Sequence, residues 1–226
     1  MDLTYILVII GGIIVMAAQA GVTGNYNKYK DVDSKTGMSG KDVARRILDA
    51  NGLSNVKVKE VEGELTDHYN PSDKTVNLSS HIYEEKSIAS VAVAAHECGH
   101  AIQDKNGYLF LRFRHGMVPI ANLCSKLGYI VLMIGLGASI FNVAMAGIIM
   151  LSVILLFHLV TLPVEFNASN RAKKQLKELN ITNNGSDSGI SKMLYAAGMT
   201  YVASLANNFL QILRLVLIVF SNRRRD

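Results

Sequence analysis

The sequence has little cysteine, which excludes one class of protein. Cys98 and Cys124 are the two cysteines among 226 residues, and they fall in very different segments, so the chain has no disulfide framework. It also lacks a motif of stacking aromatics and basic residues of the kind that RNA- or DNA-binding modules carry. The net charge of +5 therefore does not predict nucleic-acid binding. Internal repeats and low-complexity tracts are absent as well.

The basic residues instead lie beside apolar stretches of the chain. This placement predicts contact with anionic lipid headgroups and serves as a topology signal, although an ordinary solvated face remains an alternative for any single residue. The residues concerned are Lys28, Lys30, Arg112, Arg114, Arg171, Lys173, Lys174 and Lys177.

Hydrophobic residues make up 50% of the chain, and its mean hydropathy of +0.23 is high for a soluble protein. Four apolar stretches each approach the length of about 20 residues that a helix needs to cross the hydrocarbon of a bilayer. We therefore predict an integral membrane protein, in the plasma membrane of a bacterium, with four transmembrane helices. They span residues 3–20, 118–138, 143–162 and 202–220.

The first apolar stretch also has some features of a cleaved signal peptide. Residues 18–20 resemble an A-x-A cleavage site, but Met1 and Asp2 supply no positive charge ahead of the stretch. Because three further apolar stretches follow, we expect a retained helix.

Residues 21–116 form the main soluble segment. It opens with a loop, "TGNYNKYKDVDSKTGMSG", followed by a helix that Ser39 caps and Gly52 ends. The alternating segments "VKVKEV" and "KTVNLS" then predict a short β-hairpin or small sheet, with the turn-rich "DHYNPSD" between them. Residues 163–198 are predicted to add an amphipathic helix and a loop, "NNGSDSG".

The stretch "SVAVAAHECGHAIQD" is predicted to be helical, because it has an apolar stripe and no proline before Asn106 and Gly107. His96 and His100 lie four residues apart, so they share one helix face and can direct imidazole nitrogens at one point. Glu97 lies beside that point. This is His-Glu-x-x-His, in which zinc acidifies a water and the carboxylate takes its proton. The alternative is two ordinary surface histidines.

A catalytic zinc usually has three protein ligands, so a third is expected elsewhere. Histidine does not follow in the extended spacing HExxHxxGxxH, whereas Glu165 follows the third apolar stretch in a helix that Pro163 can start. A turn near residues 139–142 would return Glu165 to the same side of the membrane as the motif helix. Within the motif, Gly99 costs about 1 kcal/mol of helix propensity relative to alanine, which suggests close packing there.

The motifs "AVAAHECGHAIQ" and "LPVEFNASNRA" resemble those of the YugP-type family of membrane zinc metallopeptidases, which are gluzincin-like. The resemblance covers nearly the whole chain, including "GKDVARRILDANGL" and "LTDHYNP". The chain is more weakly similar to the HtpX-type membrane proteases, whose third ligand lies in a Glu-x-x-Ala-Asp pattern. Here that pattern reads Glu165, Phe166, Asn167, Ala168 and Ser169.

The resemblance implies a mainly α membrane protein whose four transmembrane helices carry a small α+β, zincin-like catalytic domain. It implies one zinc ion per chain on His96, His100 and Glu165, with Glu97 as the catalytic carboxylate. Ser169 replaces the aspartate of the weaker pattern, so the hydrogen bond that orients a ligand histidine would come from a neutral hydroxyl. A serine on the helix surface is the alternative.

Other side chains are weaker candidates. His68 and Tyr69 could donate to the oxyanion of a tetrahedral intermediate, or they could be ordinary turn residues. His158 could be a fourth ligand, but we expect a buried, hydrogen-bonded histidine. Cys98 is expected to pack in the core.

The sequence thus predicts a membrane-embedded zinc endopeptidase that hydrolyses peptide bonds of membrane or unfolded proteins, with Glu97 as general base. The alternative is a zinc-binding membrane scaffold or regulator without hydrolysis, and a second alternative is a helical membrane protein without metal. The charge distribution predicts a cytoplasmic catalytic domain. An exposed edge of the strand at residues 75–79 is predicted to hold the substrate, with a strand fully paired inside the sheet and substrate held elsewhere as the alternative. The oligomeric state stays open.

Overall fold

The structure is a computed structural model that describes residues 3–182 and 185–223. Predictions that involve residues 1–2, 183–184 or 224–226 lie outside the described residues. The described chain forms seven helices and three short strands. They are α1 (Leu3–Tyr29), α2 (Gly40–Ala50), β1 (Lys57–Val61), β2 (His68–Asn70), β3 (Thr75–Ser79), α3 (Ser80–Glu84), α4 (Ile88–Lys105), α5 (Leu109–Gly137), α6 (Phe141–Glu178) and α7 (Asp187–Arg223).

The chain divides into two compact units. The apolar unit comprises the described parts of residues 1–19, 112–162 and 200–226, and the mixed unit comprises the described parts of residues 20–111 and 163–199. Helices α1, α5, α6 and α7 are long and apolar enough to cross a membrane, by length and composition. The predicted class, a mainly α membrane protein with a small sheet, is confirmed.

Small residues let the helices of the apolar unit pack closely. A Cβ added to Gly135 would lie 2.2 Å from the backbone nitrogen of Ala144, and one added to Gly147 would lie 2.5 Å from the backbone nitrogen of Leu132. Helices α5 and α6 therefore meet backbone to backbone, as in many membrane bundles.

The helices extend beyond the apolar stretches that predicted them. At 1.5 Å per residue, the 38 residues of α6 span about 57 Å, well beyond a hydrocarbon core of about 30 Å. Helix α1 continues to Tyr29, so the first residues of the predicted loop are helical. The prediction that Pro163 starts a new helix is wrong, since Pro163 lies inside α6. Inside a helix, proline lacks the N–H of one intrahelical hydrogen bond and its ring crowds the carbonyl of the preceding turn, yet α6 continues through Pro163 without a break.

The core of the mixed unit is built around α4, with α2 packed beside it. Helix α2 starts with a capping box, in which the Ser39 hydroxyl accepts from the Asp42 N–H and the Asp42 carboxylate accepts from the Ser39 N–H. This confirms the predicted cap. Cys98 is fully buried, as predicted, and its thiol lies 3.5 Å from the backbone oxygen of Ala44 in α2.

The two predicted strands belong to a small sheet, one of the two predicted alternatives, and not to a hairpin. Its strand order is β1-β3-β2, with β1 parallel and β2 antiparallel to β3. Strand β2 lies inside the segment that was predicted to be a turn. The sequence did not predict this strand, because three residues are too few to show an alternating pattern beside Asp, Asn and Pro. The Asp67 carboxylate accepts from the Ser79 N–H at 2.7 Å and thereby joins the start of β2 to the end of β3.

Strand β3 is the central strand, and all five of its residues are buried. Its backbone pairs with β1 on one side and with β2 on the other. The prediction that residues 75–79 offer an exposed edge to substrate is therefore wrong. The edges of this sheet are β1 and β2.

Candidate metal centre and active site

Helix α4 carries the His-Glu-x-x-His motif, and its predicted helical state is confirmed. Its first turn is capped by Ser87, whose hydroxyl accepts from the Ser90 N–H at 3.0 Å. The chain leaves the helix at Gly107, whose φ of +61° is a conformation that glycine adopts without strain. Most residues of α4 are buried, so its orientation within the mixed unit is fixed by packing.

His96, His100 and Glu165 meet at one point. The two rings lie 4.8 Å apart between centroids and are nearly perpendicular, at 85°. One carboxylate oxygen, Glu165 Oε2, lies 3.3 Å from His96 Nε2 and 3.5 Å from His100 Nε2. The ligand atoms of these three side chains all lie within 4.8 Å of one another. Among the described residues, this is the one cluster of three or more His, Cys, Asp or Glu side chains that could hold a metal ion.

The two distances from Glu165 Oε2 to the imidazole nitrogens fit a shared tetrahedral metal better than a direct ion pair. Ligand atoms at about 2.1 Å from a tetrahedral zinc are about 3.4 Å from one another, whereas a charge-assisted N–H···O bond is about 2.8 Å long. The observed distances of 3.3 and 3.5 Å match the first value. The donor set, two imidazoles and one carboxylate, is also one that zinc accepts in catalytic sites.

Glu97 lies beside this cluster and is buried, with 8% of its surface exposed. Burial raises the pKa of its carboxyl group to about 7, and the negative charges of Glu165 and Asp67 act in the same direction. His96 and the backbone N–H of Tyr69 oppose the shift. A carboxyl group with a pKa near neutrality can both accept and release a proton at physiological pH.

Gly99 lets α4 and α6 approach each other. A Cβ at this position would lie 2.5 Å from the backbone oxygen of Ala168 and 3.1 Å from its Cα. The close packing that the sequence suggested at Gly99 is therefore present, and its partner is the backbone of α6. Ala168 is three residues from Glu165, so the same contact holds Glu165 next to the histidines.

The second nitrogen of each histidine has a neutral partner. Ser169 Oγ lies 3.2 Å from His96 Nδ1, and Gln103 Oε1 lies 3.0 Å from His100 Nδ1. Sequence reasoning considered Ser169 but missed Gln103. A signal existed, because Gln103 stands three residues after His100 in a helix whose other buried residues are mostly apolar.

The remaining candidates lie in other surroundings. The Tyr69 hydroxyl donates to Asp104 at 2.7 Å, so the structure places it on this carboxylate. His68 is exposed, and its Nδ1 lies 2.8 Å from the backbone oxygen of Thr66. In the apolar unit, His158 Nδ1 lies 2.8 Å from the backbone oxygen of Ile154, and His158 is not a member of the converging group.

Comparison with known proteins places this chain in a family. Residues 4–220 match the family described as "Putative neutral zinc metallopeptidase", and the chain belongs to this family. It is similar to the "Putative membrane protease YugP" of Bacillus subtilis (strain 168), with 41% identity over 206 residues, which cover 91% of this chain and 92% of that protein. No solved structure matches the chain.

We predict that Gly99→Ala destabilises the protein. The added methyl group clashes with the backbone of Ala168, and overpacking of this kind costs about 1–3 kcal/mol, more than alanine gains in helix propensity. The thermal unfolding midpoint in detergent should fall. The matched control is Gly24→Ala in α1, where a Cβ meets nothing within 4 Å. A midpoint that rises equally in both variants would contradict the close contact.

Proposed function

We propose that this protein is a membrane-embedded zinc endopeptidase. The proposal rests on the convergence of His96, His100 and Glu165, whose ligand atoms all lie within 4.8 Å of one another, with the buried carboxyl group of Glu97 beside them. Membership of a zinc metallopeptidase family supports it. One zinc ion per chain is proposed, because the described residues offer one converging group of this kind.

The four side chains have two proposed roles, metal binding and proton transfer. His96, His100 and Glu165 hold the metal, which when bound supplies the Lewis acidity that polarises a peptide carbonyl and acidifies water. Glu97 accepts the proton of the attacking water on its carboxylate and then donates it to the leaving amine nitrogen. Its buried environment keeps the carboxyl group near the pKa that both transfers need. Peptide bonds of membrane proteins or unfolded proteins are the proposed substrates.

We propose that the substrate pairs with β2, and the corrected sheet topology supports this choice over β3. Strand β2 is a sheet edge, and the backbone N–H of Tyr69 in β2 acts on the carboxylate of Glu97. An extended peptide that pairs with this edge gains main-chain hydrogen bonds irrespective of its side chains. Such a peptide would run beside Glu97.

A zinc-binding scaffold without hydrolysis is the second candidate. It would need the three ligands but not Glu97, so the burial of a carboxyl group beside the cluster favours the enzyme. Burial of an ionisable group is costly and is commonly found where chemistry requires it.

The first prediction of this proposal concerns the metal. Glu165→Ala should lower zinc affinity by more than the roughly 10–100-fold that loss of a residue supporting a ligand costs, because it removes a ligand. The measurement is competition with a chromogenic chelator, with bound zinc per chain by elemental analysis. His158→Ala is the control and should keep its zinc. If Glu165→Ala keeps its full zinc content while His158→Ala loses zinc, Glu165 is not the third ligand.

The second prediction separates the enzyme from the scaffold. Glu97→Gln should retain zinc but hydrolyse a denatured membrane protein about 10²–10⁴-fold more slowly, because glutamine keeps the shape and lacks the proton-accepting oxygen. Fragments are quantified on gels, with chelator-treated wild-type protein as the blank. Hydrolysis by Glu97→Gln at the wild-type rate would remove Glu97 as the base.

We also propose that the catalytic residues face the cytoplasm. Four transmembrane helices leave the outer ends of the first and fourth apolar stretches on one side, and Arg223, Arg224 and Arg225 follow the fourth stretch in the sequence. The loops of the other side carry the eight basic residues that flank the apolar stretches, and the excess of Lys and Arg predicts the cytoplasmic side.

The orientation predicts which cysteines a membrane-impermeant maleimide reaches. In a Cys124→Ser background, Lys35→Cys should react only after cells are permeabilised, whereas Ser221→Cys should react in intact cells. Each variant serves as the control of the other. Labelling of Lys35→Cys in intact cells would reverse the proposed orientation.

A further inference from the structure

A chain of hydrogen bonds joins Arg171 to His100 within the mixed unit. Arg171 Nε donates to Asn167 Oδ1 at 2.7 Å. Gln103 Nε2 donates to the same oxygen at 3.0 Å and to the backbone oxygen of Val164 at 2.7 Å. Gln103 Oε1 lies 3.0 Å from His100 Nδ1. We call Arg171, Asn167 and Gln103 the amide relay.

The chemistry of its two ends fixes the direction of every bond in the relay. A guanidinium group only donates hydrogen bonds, so the Asn167 atom that faces Arg171 must be its oxygen. The Gln103 atom that faces this oxygen must then be its NH2 group. The other end of the Gln103 amide is its oxygen, which only accepts, so the hydrogen between Gln103 and His100 belongs to His100 Nδ1.

The backbone oxygen of Val164 provides a second, independent anchor. It also only accepts, so it selects the same orientation of the Gln103 amide as Asn167 does. Gln103 is fully buried, so a reversed amide would face two acceptors with its oxygen in a place without bulk water. An unsatisfied buried polar group costs about 1–3 kcal/mol, which is enough to exclude that orientation.

We propose that the amide relay fixes the proton of His100 on Nδ1 and directs its Nε2 as a ligand atom. Gln103 is the positioning residue, because it contacts the histidine and not the reacting atoms. In the structure, His100 Nε2 faces Glu165 Oε2 at 3.5 Å, which is where the proposed function needs an unprotonated nitrogen. The assignment of a metal ligand role to His100 rests on that proposed function, whereas the position of the Nδ1 proton does not.

As a result, the tautomer is fixed in one of the two proposed ligand histidines and not in the other. The partner of His96 Nδ1 is the Ser169 hydroxyl at 3.2 Å, and a hydroxyl can donate or accept. It therefore satisfies His96 in either tautomer. The relay permits only one tautomer of His100, so loss of Gln103 should affect the metal site more than loss of the Ser169 hydroxyl.

The direct test is long-range proton–nitrogen NMR on protein labelled with ¹⁵N at its six histidines, with His100 assigned by substitution. In both metal-free and zinc-loaded wild-type protein, Nδ1 of His100 should carry a proton. An unprotonated Nδ1 in either form would overturn the proposal. Because the metal-free measurement involves neither zinc nor peptidase activity, its result stands even if the proposed function fails.

Variants test whether the relay is the cause. Gln103→Leu should mix the tautomers of metal-free His100 and lower zinc affinity about 10–100-fold, as loss of a residue that orients a ligand does. Asn167→Asp keeps an acceptor for both Gln103 and Arg171, so its His100 tautomer and zinc affinity should match wild type. Asn167→Leu removes that acceptor and should shift both readouts towards those of Gln103→Leu.

The matched control is Gln175→Leu, which removes another amide hydrogen bond to α6, from Asn51 Nδ2 at the C-terminal cap of α2 to Gln175 Oε1 at 2.6 Å. It should leave the His100 tautomer and zinc affinity unchanged even if stability falls. A folded Gln103→Leu with wild-type tautomer and affinity, or equal losses in Gln175→Leu, would overturn the proposal. If Gln103→Leu fails to fold, the wild-type spectrum and the comparison of Asn167→Asp with Asn167→Leu still test the proposal.

Discussion

The close approach of α4 to α6 is the constraint on which the rest of the site depends. Gly99 allows the backbone of Ala168 to come within a distance that any side chain would block. A long side chain could bring Glu165 to the histidines from farther away, but only with freedom that a precise ligand cannot have. The approach also places the backbone oxygen of Val164 within reach of Gln103, so one contact between backbones helps to position both Glu165 and the amide that contacts His100.

The sequence predicted the parts of the site that have a local cause. Helical spacing predicts that His96 and His100 share a face, and the cap at Ser39 follows from residues three apart. Strand β2 was missed because its three residues pair only through β3 and the Asp67–Ser79 contact, which no local pattern encodes. The relay was missed for the same reason, since the partners of Gln103 lie 61 and 64 residues away.

The two carboxylates of the site differ in what surrounds them. Glu165 lies against two imidazoles, which suit a charged carboxylate. Glu97 is buried with a pKa of about 7, and the charge of Glu165 contributes to that value. The charge of one acid thus helps to set the pKa of the other. Differences of this kind are a common way for two carboxyl groups to take different roles in one site.

Neutral groups orient both histidines, and this affects the charge of the site. Carboxylates often hold the second nitrogen of a ligand histidine, whereas here a serine and a glutamine do so. A carboxylate in either place would add negative charge near Glu97 and raise its pKa above the present value of about 7. The neutral partners hold the two imidazole rings without adding that charge. The serine that departs from the Glu-x-x-Ala-Asp pattern is therefore consistent with the chemistry that the buried Glu97 is proposed to perform.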